Sequence, residues 1–221
     1  KVSIRQMFGG MRGMKSMIWE TSELDAYEGI RFRGYSIRQL RKALPKAEGC
    51  KEPLPEGLFW LMLVGDIPTD KEVKWLTEEW QKRSSVPEHT FKMLDSLPAT
   101  THPMTQFSSA ILSMQTESIF AKRYAEGISK QDYWDAYYED TMNLIACLPR
   151  VAAYIYRRSY FDNNHIAPDP KLDWGANFAH MLGVSENPDF LSLMRLYLTI
   201  HADHEGGNAS AHTTHLVGST L

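Results

Sequence analysis

The sequence predicts an all-α, multi-helical fold with one small β-hairpin. Three observations carry that expectation. Apolar residues recur at helical spacing through most of the chain, prolines stand at the starts of the periodic runs, and only one short stretch alternates apolar with charged residues. In "PTDKEVKWLTEEWQKRS", Thr69 and Glu72 form a capping-box pair, and Val73, Leu76 and Trp80 then share one face. "PEHTFKMLDSL" starts with Pro87 in its first turn and carries Phe91, Leu94 and Leu97. A single helix is expected from Pro103 to Gly127, with Gly127 just past its end. Its small residues (Ser108, Ser109, Ala110, Ser113) lie beside Met104, Phe107, Ile111 and Met114, which suits close packing inside the core or against a second subunit.

Ser129 is placed to cap a long helix through "YWDAYYEDTMNLIACLPRVAAYIYRRSYF", kinked or broken at Pro149 because proline lacks the N–H that the helix needs. "NNHIAPDPKLD" reads as a loop, and "WGANFAHMLG" and "PDFLSLMRLYLTIHADH" as two more helices. The hairpin is expected between about Ile18 and Tyr35, where Gly29 and Gly34 bracket an alternating Ile30–Arg33.

Composition bounds the function. The 221 residues carry a formal charge of −3, which argues against a general nucleic-acid surface while leaving room for local arginines to hold an anion. No apolar run reaches membrane-spanning length, and no secretory signal pattern stands at the start, so membrane insertion is not expected. The two cysteines, Cys50 and Cys147, are far apart and read as free thiols.

Chemistry concentrates in "HADHEGGNASAHTTH", which holds four of the eight histidines. His201, His204, His212 and His215 follow the spacing H-x2-H-x7-H-x2-H, which matches no helical zinc motif. No metal is expected, and zinc analysis is the direct discriminator. Ser210 and His212 stand too close along the chain to read as a nucleophile and its base. For His201, His212 and His215, local hydrogen bonding is the simpler role. His204 differs because it precedes Gly206 and Gly207, where a helix does not continue comfortably and the backbone can approach a ligand. Asn208 can then cap the following helix, whose positive N-terminus suits a small carboxylate.

With these residues in view, the chain resembles the citrate synthases of eukaryotic mitochondrial type. "HADHEGGNASAHTTHLVG" carries the likeness most clearly. "GGMRGMKSMIWETSELDAYEGIRFRG", "LPKAEG", "EPLPEGLFWLMLVGDIPT", "TTHPMTQFS", "YAEGISKQDYW" and "LMRLYLTIH" extend it in order over essentially the whole chain. The resemblance implies a mitochondrial-matrix homodimer of mostly helical subunits that condenses acetyl-CoA with oxaloacetate and water to citrate and CoA, with no cofactor.

It further implies that His204 and Asn208 contact oxaloacetate, and that Ser210 orients a histidine that stabilises the acetyl-CoA enol. Arg12 is implied to bind CoA phosphates. Lys130 stands where related enzymes place an arginine that reaches CoA from the partner subunit; lysine keeps the charge but loses the bidentate fork. Residues 1–221 correspond to part of the large domain. The small domain, the enol-stabilising histidine in a segment like "GPLHGLAN", the base aspartate and the oxaloacetate-clamping arginines are expected beyond Leu221. Alternatives are a 2-methylcitrate synthase using propionyl-CoA, and a filament-forming or structural relative.

Overall fold

The computed structural model describes residues 3–9, 21–25, 27–185, 187–203, 213–214 and 217. The fold is all-α with one small sheet. Its elements run α1 (Ile4–Gly9), β1 (Ser22–Asp25), β2 (Gly29–Phe32), β3 (Tyr35–Ser36), α2 (Ile37–Ala43), α3 (Pro55–Val64), α4 (Asp70–Arg83), α5 (Glu88–Ser96), α6 (Pro103–Ser113), α7 (Ile119–Ala125), α8 (Tyr133–Tyr160), α9 (Trp174–Leu182) and α10 (Pro188–Ile200). They form two compact units, one from residues 1–73 with 195–221, the other from 74–194.

In the first unit the expected hairpin gains a third strand. β1 and β2 pair antiparallel with Ser22 opposite Phe32 and Asp25 opposite Gly29, and β3 adds to β2. Asp25 closes the first turn by accepting from the N–H groups of Tyr27 (2.7 Å) and Glu28 (2.8 Å), and these bonds hold its carboxyl below the usual range. The second turn has only two residues, Arg33 and Gly34, both at positive φ (48° and 84°), which suits the twist of a tight hairpin. The Arg33 side chain then donates to the Met62 carbonyl at the end of α3 (Nε 3.2 Å, Nη2 2.7 Å), binding sheet to helix. Ser36 and Gln39 make a reciprocal capping box for α2. Phe32, Leu40, Leu44, Leu58 and Leu61 form the core between sheet, α2 and α3.

α4 begins as its sequence indicates: Thr69 N–H donates to Glu72 at 2.7 Å, Glu72 N–H returns to Thr69 Oγ1 at 3.4 Å, and Val73, Leu76 and Trp80 are buried. In the second unit, Val86, Leu94, Ala110, Cys147, Val151 and Ile155 make the core where α5, α6 and α8 meet. Pro87 precedes α5 as its N-cap rather than standing inside its first turn. Helix 103–127 is not continuous. It divides into α6, a 3-10 turn at Met114–Glu117 and α7, because Asp140 of α8 captures the start of α7. The Asp140 carboxylate accepts from Ser118 Oγ (2.6 Å), Ile119 N–H (2.7 Å) and Phe120 N–H (3.0 Å), giving α7 a side-chain cap from another element. Gly127, at φ 87°, ends this stretch as expected.

α8 corrects a second expectation. Ser129 caps a 3-10 turn (Lys130–Asp132), and the α-helix then runs 28 residues without a break at Pro149. Pro149 deprives the Ile145 carbonyl of its helical donor, and the Trp174 indole N–H supplies one from α9 at 3.0 Å. Asp173 caps α9 by accepting from Ala176 N–H at 3.0 Å. α9 ends at Gly183, where φ is 65° and the Arg157 guanidinium fills the space that a Cβ would need. α10 stops at Ile200, earlier than the expected end near His204.

The indole bond predicts a coupled stability effect. Trp174→Phe leaves the Ile145 carbonyl without its donor and should cost about 1–2 kcal/mol, lowering Tm by about 5 °C. In a Pro149→Ala background the restored backbone N–H should remove part of that cost. Thermal melts of the four proteins in the cycle measure this, and additive effects would sink the assignment.

Candidate functional site

The site is built outward from the end of α10. Its last turns are held locally: Thr199 Oγ1 donates to the Arg195 carbonyl at 2.8 Å, and Arg195 Nη1 donates to Cys50 Sγ at 3.0 Å. The His201 ring stacks on Tyr197 with centroids 4.1 Å apart, and its Nδ1–H donates to the Tyr197 carbonyl at 2.8 Å. His201 is thus committed to its own helix end, the local role that its sequence suggests.

Two residues later the chain is pinned. Asp203 Oδ2 accepts from Ser22 Oγ at 2.7 Å and from Thr21 Oγ1 at 3.3 Å. Ser22 is 5% exposed and opens β1, with Phe32 across the ladder and Arg33 N–H bonded to the Thr21 carbonyl at 2.8 Å. A shielded carboxylate that accepts two hydroxyls is a strong tether. It joins points 181 and 182 residues apart in the chain. His204 is the next residue after Asp203, and residues 10–20, which include Arg12, lead directly into Thr21. The two stretches that carry the sequence candidates therefore begin from one shared anchor.

Arg12, His204, Asn208 and Ser210 themselves lie outside the described residues, as do His212 and His215. Lys130 is described. It opens the exposed 3-10 turn before α8, with Ser129 accepting from Gln131 N–H beside it. Among the described residues no group of three or more His, Cys, Asp or Glu side chains could hold a metal ion. No described helix is long and apolar enough to cross a membrane.

Both cysteines are free thiols. Burial pushes the Cys147 thiol up to about 11, and it donates to the carbonyls of Ser85 (3.3 Å) and Arg83 (3.4 Å), so it is not poised as a nucleophile. Sequence reading did not single out Asp203, Thr21 or Ser22. Nothing local marks them, because the tether exists only once residues from the two ends of the chain are brought together.

Comparison with known proteins gives this arrangement a family. Residues 10–221 match the family described as citrate synthase, C-terminal domain. The chain is 57% identical to the mitochondrial citrate synthase of Kajikia audax and 56% identical to that of Xiphias gladius. Each match covers 100% of this chain and 47% of the relative, so the chain spans about half the length of these curated relatives. Among solved structures, the citrate synthase of Pyrobaculum aerophilum superposes with a TM-score of 0.77 at 26% identity, over 93% of this chain and 49% of that one. The fold is shared also with the Thermoplasma acidophilum citrate synthase, solved as a ternary complex with carboxymethyl coenzyme A and oxaloacetate. Its TM-score is 0.68 at 18% identity, over 86% of this chain and 46% of that one. On the family match and the whole-chain identity, this chain belongs to the citrate synthase family.

Proposed function

We propose that this chain contributes to a mitochondrial-matrix citrate synthase, which condenses acetyl-CoA with oxaloacetate and water to give citrate and CoA. The observation that carries the reading is identity above one half, along the whole chain, to enzymes named mitochondrial citrate synthase. The same names favour acetyl-CoA over propionyl-CoA as the acyl donor.

The chemistry explains the division of labour. The methyl protons of a thioester are weakly acidic, so their removal needs a positioned carboxylate base and a donor aimed at the oxygen where charge develops. The electrophile must be polarised in a site that excludes water. His204 and Asn208 belong to the electrophile side and hold oxaloacetate. Ser210 orients the enol-stabilising histidine, and Arg12 and Lys130 bind CoA phosphates as cations. We assign the base, the enol stabiliser and the oxaloacetate-clamping arginines to the part of the protein outside residues 1–221, since the chain spans about half the length of its relatives. Residues 1–221 are accordingly one part of the large domain, inactive alone.

The test is substrate binding and turnover in the full-length protein. His204→Ala should weaken oxaloacetate binding by about a hundredfold and spare CoA, whereas Arg12→Ala should do the reverse. Calorimetry showing oxaloacetate affinity unchanged in His204→Ala defeats the His204 assignment. A full-length protein that releases no CoA from acetyl-CoA in the presence of oxaloacetate defeats the reading as a whole.

The Asp203 tether supports a finer expectation. Asp203→Ala should weaken oxaloacetate binding about tenfold, because it frees the backbone immediately before His204. Ser22→Ala should act in the same direction, and the double variant should fall short of the sum of the two. Full additivity in calorimetric affinities counts against the tether.

We also propose that the enzyme is a homodimer and that α6 lies in the interface. Ala110 faces inward at 0% exposure, while Met104 (61%) and Leu112 (75%) stand exposed on the other side of the helix. Leu112→Arg should shift the full-length protein toward monomer in sedimentation, and an unchanged dimer removes α6 from the interface.

A further inference from the structure

A cavity of about 390 Å³ lies in the second unit, away from the Asp203 tether in sequence and within residues 74–194 alone. One face of α8 lines it: Arg150, Ala153, Tyr154 and Arg157 recur at i, i+3, i+4 and i+7. The loop from His165 onward makes the opposite wall. Two guanidiniums and an imidazole line this space, and no carboxylate does.

Among the described residues neither guanidinium meets a carboxylate. Arg157 is 5% exposed, yet its hydrogen bonds go to uncharged oxygens, the carbonyls of Asn164 and of Leu182 (3.0 Å). Its face lies 4.5 Å from the Phe161 ring. The Leu182 carbonyl sits at the negative end of α9 and offsets only part of a unit charge. Arg150 rests over Phe91 at 5.4 Å, and neither arginine takes part in an ion pair among the described residues. Asp95, the nearby acid, is already occupied: it accepts from Tyr154 Oη at 2.8 and 2.9 Å and stands 4.0 Å from Arg158. A buried guanidinium without a counter-ion is costly unless an anion completes it.

The pocket is also pre-organised. Arg157 is clamped from both sides and occupies the space left by the absent side chain of Gly183. The His165 ring stacks flat on Tyr154, with centroids 3.8 Å apart and planes 9° apart, forming a rigid wall. Apolar groups, Met181 among them, fill the remainder and lower the local dielectric, which strengthens the field of the two arginines. We propose that this cavity binds a small anion bearing carboxylate or phosphate oxygens, held between the guanidiniums of Arg150 and Arg157. Its lining includes none of the residues proposed above to hold substrate.

The experiment follows the His165 imidazole by NMR in the full-length protein at constant ionic strength, with inorganic phosphate in one arm and glutarate in the other. Burial holds the His165 imidazolium below its ordinary range; Asp95 opposes that and Arg157 adds to it. An anion seated by Arg157 should move the His165 titration upward and saturate. The Arg150 side chain makes no hydrogen bond among the described residues, so Arg150→Met should leave the protein folded. It should weaken the saturating response by about tenfold. A response to phosphate alone, or to glutarate alone, identifies the oxyanion. No response to either up to the order of 10 mM overturns the proposal. So does a response equal in wild type and Arg150→Met.

Discussion

The second unit depends on one indole hydrogen bond. α8 is 28 residues long, about 42 Å, and α6, α7 and α9 all pack against it. A proline in its middle would ordinarily kink or divide such a helix. Trp174 prevents the division by supplying the donor that Pro149 lacks, from a residue that is itself the first of α9. The same contact therefore completes α8 and fixes where α9 docks. Asp140 and Arg157, on either side of the proline, can then act as fixed points of one rod, the first capping α7 and the second holding the end of α9.

Carboxylates do comparable work at the other junctions. Asp140 starts α7, Asp25 closes a turn, and Asp203 joins the end of α10 to the start of β1. In each case a charged acceptor gathers two or more short donors, a stronger and more directional restraint than apolar contact supplies. Apolar packing sets the cores and these acceptors set the joints. The distinction matters for the candidate stretch after Asp203, since a reproducible pocket needs a fixed point beside it.

Much of this was readable from residue order. The Thr69–Glu72 box, the end at Gly127 and a helix from Trp174 to Gly183 follow from local chemistry, which a sequence states directly. Two departures share one cause. The division of helix 103–127 comes from Asp140, and the continuity through Pro149 comes from Trp174; each partner lies more than twenty positions away from the backbone group it satisfies. Backbone groups orphaned locally are satisfied non-locally, and periodicity carries no record of the partner. The candidate site was legible in a different way. His204 was singled out by the glycines after it, Arg12 and Lys130 only by family likeness, and Asp203 by neither.

That last contrast explains what a tether contributes to a site split across the chain. Residues 10–20 and the stretch after Asp203 are about 180 positions apart, and closing so long a loop has a large entropic cost that neither stretch recovers alone. The hydroxyl–carboxylate contact of Ser22 and Thr21 with Asp203 holds those two points together in the folded chain. The cationic cavity on α8, proposed to bind an anion, is built on the same logic from the opposite charge: Arg157 is held by carbonyls before any ligand arrives, beside a space that the described residues leave unfilled.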